Sequence, residues 1–504
     1  MIFSNPKLKK LIEKYRQIKL LGETRAILGW DLNVNLPEKA AQERADQSAF
    51  LTDLMVDRWL DPEFKKLFET IVSKKENLTK EEKAMVRNLE QSAKFYFNIP
   101  KKIIVEFDET TSKAFMVWKK AKQENKFADF LPDLKKIIKL NQIIAAHLGF
   151  KTNPYDALLD LYEPELTSKK CVQIFDHLQP ALTALLAKIQ KSKDYRPESD
   201  LISGVLSYPK SDQRQLSLFV LKKMGYDFAS GRLDVSPHPF TTELSRNDIR
   251  VTTWYHENDF RDSLTAAMHE GGHGLYEQGV DTIYNSTPLS GGVSLGIHES
   301  QSRFWENQIG RNPVFLKFLT PLLQAFYPEQ LGQAGEETII KLFNLVKPSL
   351  IRVEADEVTY NLHIALRFQL ENDLINEKIK PKDLPSLWRE KTKQFLGIEP
   401  KTDREGVLQD VHWSYGDFGY FPTYALGNLY AAQFTRAMEK DLDLKQLCAK
   451  GELGTILSWQ REKIHRHGSL YWPDQLVKKV TGEELKADYF IEYLQKKYGE
   501  IYDL

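Results

Sequence analysis

The chain has 504 residues with 42% hydrophobic and 28% charged content, enough apolar sequence to bury a large core and too much for a disordered chain. Its 70 Lys and Arg balance 70 Asp and Glu, so no whole-chain field favours nucleic acid or an anionic membrane. The two cysteines, Cys171 and Cys448, stand far apart in no ligand spacing, which argues against a disulfide scaffold or a cysteine zinc site and fits a reducing, cytoplasmic compartment.

In chain order, Leu8, Leu11, Ile12, Tyr15, Ile18 and Leu21 recur at helical intervals between charges, so the N-terminus reads as a helix of the mature protein rather than a signal segment. No apolar run approaches the roughly 20 residues of a membrane-spanning helix, and a soluble protein with no membrane partner is expected. Helical spacing continues through most of 1–230, with breaks at Pro37, Asp61-Pro62, Asn98-Ile99-Pro100, Asn153-Pro154 and Pro180. The pattern changes at Ser236. Phe240 to Leu244 and Asp248 to Tyr255, rich in Thr, Val, Ile and aromatics around Ser245-Arg246-Asn247, read as an antiparallel β-hairpin. In its second strand Asp248, Arg250, Thr252 and Trp254 share one face, polar enough to line a site. A helix is predicted from Asp262, as N-cap, to Gly279, and a second from Val293 to Ile309. Everything after Pro313 reads as helix except the aromatic, glycine-rich stretch from Trp413 to Gly427. The expectation is a mostly α protein with a small antiparallel sheet, one domain over 1–504 divisible into a helical lobe, 1–230, and a metal-site lobe, 231–504.

Within the first predicted helix stands Met268-His269-Glu270-Gly271-Gly272-His273, an HExxH motif that places both imidazoles on one face, one turn apart. Glu270 is offset around the helix, positioned to take a proton from water rather than to ligate. Composition alone produces such a motif in at most about 3% of chains of this kind. Two consecutive glycines inside a helix each cost about 1 kcal/mol relative to Ala, which close approach by a neighbouring helix or by substrate would explain.

A catalytic zinc commonly takes three protein ligands. Glu299, in His298-Glu299-Ser300-Gln301 on the next predicted helix, is the favoured third ligand; His298, Glu277 and Glu306 are the alternatives. Two histidines and one carboxylate match a thermolysin-like zinc set, although cobalt or manganese would suit the same donors.

Other stretches resemble the carboxypeptidase Taq family of metallocarboxypeptidases. The matching residues are HPF at His238 to Phe240, DxRxT at Asp248, Arg250 and Thr252, HEGGH, and HES with Gln301. Further on come IRxxAD at Ile351, Arg352, Ala355 and Asp356, and GxxQDxHW at Gly406, Gln409, Asp410, His412 and Trp413. Trp30-Asp31 and Gly419 to Tyr424 also fit, while Trp254 stands where many relatives carry Arg. The resemblance implies a helical, often dimeric peptidase with a deep groove, which removes single residues from peptide C-termini with one zinc or cobalt ion per chain.

The roles expected are therefore His269, His273 and Glu299 as metal ligands and Glu270 as general base. His412 and Tyr420 or Tyr424 are expected as donors to the developing oxyanion, with Asp356 or Asp410 orienting a ligand histidine. Arg352, with Arg250 second, is expected to receive the terminal carboxylate, and Gln409 is placed with them in the substrate site. The competing readings are an oligopeptidase or dipeptidyl carboxypeptidase on the same metal site, and a helical binding protein with an inactive one.

Overall fold

The computed structural model describes residues 3–201 and 207–504; the helical readings over 1–2 and 202–206 lie outside the described residues. Among the described residues the fold is mostly helical, with one three-stranded sheet. No helix among the described residues is long and apolar enough to cross a membrane. The chain forms two compact units, each gathered from three stretches: Met1–Tyr96, Ser199–Phe343 and Tyr430–Leu485 in the first, Phe97–Glu198, Asn344–Leu429 and Lys486–Leu504 in the second.

In the first unit, Pro6–Val34 forms a long helix capped by Asn5, whose side chain accepts from the Lys7 and Leu8 amides. The expected hairpin is present as β2 (Thr241–Ser245) and β3 (Asp248–Thr253), paired antiparallel with an irregularity between Glu243 and Ser245. The sheet is larger than the hairpin, because β1 (Gly231–Val235) pairs with β3 in parallel, giving the order β1-β3-β2. β1 carries no apolar alternation beyond the buried Leu233, so its sequence gives no strand signal. The HExxH helix runs from Phe260 to Gly279, and its N-cap is Asp259 rather than Asp262, since Asp259 accepts from the Arg261 amide. Ile249 and Val251 of β3 are buried, and a Cβ on Gly274 would stand 3.2 Å from Val251.

The second predicted helix divides in two. Leu295–Arg303 is α-helical, capped by Ser294, and Phe304–Gly310 continues as wider π-helical turns. In the second unit, Tyr360–Ile375 is buried nearly all round, with Asn361, His363, Arg367 and Glu371 inside. Pro180 does not break the chain: it lies inside Ser168–Lys191, where burial of Leu178, Leu182, Leu185 and Leu186 sustains the helix. The stretch from Trp413 to Gly427 is likewise partly helical, through His412–Tyr415 and the start of Pro422–Met438.

Candidate active site and metal centre

His269 Nε2 lies 3.6 Å and His273 Nε2 3.4 Å from the same oxygen, Glu299 Oε2. Donors bound about 2.0–2.1 Å from a tetrahedral ion stand about 3.3–3.4 Å apart, so the three residues fit a shared cation. The glycine pair explains how Glu299 comes so close. A Cβ on Gly272 would meet Gln301 O at 2.5 Å and Ser302 Cα at 2.7 Å, so only glycine admits the backbone that carries the carboxylate. Gly271 gives the same clearance on another side, where its Cβ would stand 2.5 Å from Leu221.

Each imidazole is held through its other nitrogen. His269 Nδ1 lies 2.8 Å from Glu306 Oε2, and His273 Nδ1 lies 2.6 Å from His298 Nδ1. His298 Nε2 in turn lies 2.8 Å from Glu277 Oε1, which also accepts from the Gly292 amide. A proton on His273 Nδ1 donated to His298, and one on His298 Nε2 donated to Glu277, satisfies this chain and leaves His273 Nε2 with its lone pair. Arg303 Nε donates to Glu299 Oε1 at 2.7 Å, fixing the carboxylate with Oε2 toward the histidines. Glu306 and Glu277 thus occupy the orienting role expected of Asp356 or Asp410. Asp356 instead accepts from the Val358 and Thr359 amides and the Thr359 hydroxyl, and Asp410 pairs with arginines. Both acids stood among the alternative ligands; the structure sets them against His269 and His298 rather than beside the oxygen that His269 and His273 share.

Burial disfavours a charged His269, yet Glu299, Glu306 and Glu270 push its pKa up to about 9. Burial, with the neighbouring His298 and His269, pushes His273 down to about 4. Despite burial, Arg303 and the histidines hold Glu299 well below the usual carboxylate range. This is a pocket whose carboxylates favour positive charge between the imidazoles. Glu270 points its Oε2 to the Thr241 hydroxyl at 2.7 Å, and burial raises its pKa. Thr241 was one of a strand's residues in the sequence, with nothing to mark it as the partner of Glu270.

The second unit holds another polar cluster. Asp410 takes Arg352 Nη2 at 2.9 Å on one oxygen and Arg367 Nε at 2.7 Å on the other. Arg352 therefore pairs with neither Glu354 nor Asp356. Its Nη1 donates to Tyr360 Oη, and its guanidinium lies 5.0 Å over the Tyr424 ring. The Gln409 side chain accepts from the Arg352 amide and from Arg367 Nη2 and donates to Leu350 O and Glu405 O, tying both arginines to the neighbouring backbone. Two buried guanidiniums share one carboxylate, leaving an excess positive charge. Burial, with these charges nearby, pushes His363 and His412 down to about 3, and each keeps a buried ring nitrogen without a hydrogen-bond partner among the described residues. His412 Nε2 lies 3.3 Å from Tyr424 Oη, and the Tyr420 ring packs 5.4 Å from the His412 ring. Arg250 is engaged elsewhere, in a two-bond pair with Asp248 at 2.7 and 2.8 Å and 4.3 Å over the Trp30 ring.

The loop after His412 is anchored by Glu371, which accepts from Tyr155 Oη, Trp413 Nε1 and the Gly419 amide at 2.6 to 2.9 Å. Burial pushes its pKa up from 4.5 to about 7 against these three donors. The folded state then holds a proton more tightly than the unfolded chain, so the linked stability is present below pH 4.5 and is lost as pH rises through 7. The displacement corresponds to about 3 kcal/mol. Glu371→Gln is expected to start from a lower Tm at pH 5, one donor being left to face the amide, but to lose less Tm than the parent between pH 5 and pH 8. Parallel declines would show that Glu371 does not titrate in this range.

Residues 10–498 match the family described as carboxypeptidase Taq (M32) metallopeptidase. The chain is 43% identical to thermostable carboxypeptidase 1 of Pyrococcus furiosus over 99% of both chains, and 39% identical to carboxypeptidase 1 of Bacillus subtilis over 98% of both. It superposes on the solved apo-Mg structure of the Pyrococcus furiosus carboxypeptidase with a TM-score of 0.95 at 42% identity, covering 99% of this chain and all of that one. The chain belongs to the carboxypeptidase Taq family of metallopeptidases.

Proposed function

We propose that the protein is a metal-dependent carboxypeptidase that removes single residues from the C-termini of peptides, with His269, His273 and Glu299 as the ligands of one zinc ion, or cobalt, per chain. The observation that carries the reading is the convergence of His269 Nε2 and His273 Nε2 on Glu299 Oε2. A divalent ion there supplies Lewis acidity, polarising the scissile carbonyl and making water a better nucleophile at neutral pH. Glu270 takes the proton of the attacking water and returns it to the leaving amine, its carboxylate held by Thr241. His412, with Tyr420 or Tyr424, donates to the developing oxyanion. The groove implied by the family, a cytoplasmic location and a homodimer belong to the same reading; the buried free cysteines Cys171 and Cys448 fit a reducing compartment.

Exopeptidase action needs a receptor for the terminal carboxylate. Arg352 is assigned that role because Asp410 leaves the Arg352 and Arg367 pair with one positive charge over, which a substrate carboxylate neutralises. The commitment of Arg250 to Asp248 makes it the lesser choice, and Gln409 serves by holding the backbone amide of Arg352 and the guanidinium of Arg367. A blocked and an unblocked peptide test the assignment together. Arg352→Ala is expected to lower kcat/KM on free peptides ten- to a hundredfold, as losing a contact of about 1.5–3 kcal/mol requires, with metal content unchanged. An amidated peptide should be a poor substrate of the parent and no worse for the variant. Equal losses on both peptides would remove Arg352 from carboxylate recognition, and efficient internal cleavage of the amidated peptide by the parent would favour the oligopeptidase.

A further inference from the structure

A cavity of about 710 Å³ in the first unit is lined by Lys80, Lys83 and Arg87 from Lys80–Asn98, by Tyr471, and by Lys478 and Lys479 from Pro473–Thr481. Among the described residues, no acidic one lines it. Spacings of three and four residues place Lys80, Lys83 and Arg87 on one helix face, and the Pro473–Thr481 helix brings the other two lysines to them. Among the described residues, no carboxylate pairs with Lys80, Lys83, Lys478 or Lys479. Two of the cations share one ring: Lys80 Nζ stands 4.4 Å and Lys479 Nζ 5.4 Å from the Tyr471 centroid, with Lys80 also donating to Tyr471 Oη at 2.8 Å. Arg87 is fixed by donation to Ser469 O and Leu470 O and by stacking 4.0 Å over Trp472.

Five cations around one concavity repel each other, and walls such as Ala84 and Leu470 shield that repulsion less than open water does. The excess is felt beyond the cavity. His467, whose ring lies 5.3 Å from that of Tyr471, is pushed down to about 4 by burial and then by Lys479, Arg466 and Lys80. A chain of zero formal charge has no general need for such a concentration. The volume suits a small molecule rather than a single ion. Lysines act as point charges around phosphate oxygens, and the fixed Arg87 adds its charge to theirs.

We propose that this cavity is a binding site for small polyanions of the oligophosphate class, independent of peptide hydrolysis. The shared chemistry is a run of linked phosphates, whether free or carried by a nucleotide.

The test is calorimetric titration of the metal-loaded enzyme with sodium tripolyphosphate, and separately with ATP, at about 150 mM salt, where diffuse surface attraction is screened. Tripolyphosphate is expected to saturate one site per chain. The double variant K80Q/K479Q should bind at least about tenfold more weakly, each lost charge-assisted contact contributing that order. K445Q/K450Q, which removes the same charge from the Leu444–Lys450 helix, should bind like the parent. Any metal drawn off by the phosphates is common to the three proteins and cancels in the comparison. Tighter binding of ATP than of tripolyphosphate would identify a nucleotide as the source, and equal or weaker binding the free oligophosphate. Equal weakening in both double variants, or no saturable binding at this salt, would reduce the cavity to an ordinary solvated patch and overturn the proposal.

Discussion

Glu270→Gln is expected to bind its metal as tightly as the parent and to lose nearly all turnover, by a factor of about 10² to 10⁴. The amide keeps the shape of the carboxyl and still meets the Thr241 hydroxyl, which now lies 2.7 Å from Glu270 Oε2. What it lacks is a lone pair basic enough to accept a proton from water. The loss should therefore appear in kcat, with substrate affinity and metal content preserved. Metal analysis by mass spectrometry beside steady-state kinetics on an unblocked peptide reads both quantities, and substantial residual hydrolysis by a fully loaded variant would dismiss Glu270 as the base. A fully active parent also separates the enzyme from a helical binding protein with an inactive site.

Glu299→Ala should fail at the earlier stage, in holding the ion, and the effect should exceed the roughly hundredfold loss that follows from disturbing only an outer partner. Two defects combine. The shared oxygen 3.4 and 3.6 Å from the two imidazoles is gone, and Arg303, now 2.7 Å from Glu299 Oε1, loses its partner beside the site. His269→Ala and His273→Ala should act in the same direction. Titration against a competing chelator gives the affinity directly. Should Glu299→Ala bind as tightly as the parent, the third ligand is elsewhere, with Glu306 and Glu277 the nearest candidates.

The parts legible in the sequence were those set by local spacing. HExxH is a four-residue relation on one helix, so the facing imidazoles follow from periodicity alone. The hairpin follows from two β-rich runs around a polar break, and the glycine pair announced a close neighbour that the backbone of Gln301 and Ser302 supplies. Relations between distant segments were not legible. β1 is recognisable only through its pairing with β3, and no local pattern marks Arg367 as the second claimant on Asp410. Proline carries a similar ambiguity: Pro62 and Pro154 open helices, whereas Pro180 sits inside one because apolar burial outweighs a missing hydrogen bond.

The widened turns from Phe304 to Gly310 place Glu306 against His269 and seat Arg311 against Glu306. In a regular helix each residue adds about 100° of rotation, so one residue gained or lost between Glu299 and Glu306 would swing everything downstream by that angle. The segment can accept a change of side chain more readily than a change in residue count. Insertions and deletions in descendants of this sequence should therefore accumulate in exposed surface loops and spare the stretch from His298 to Arg311, whose length is itself a functional quantity.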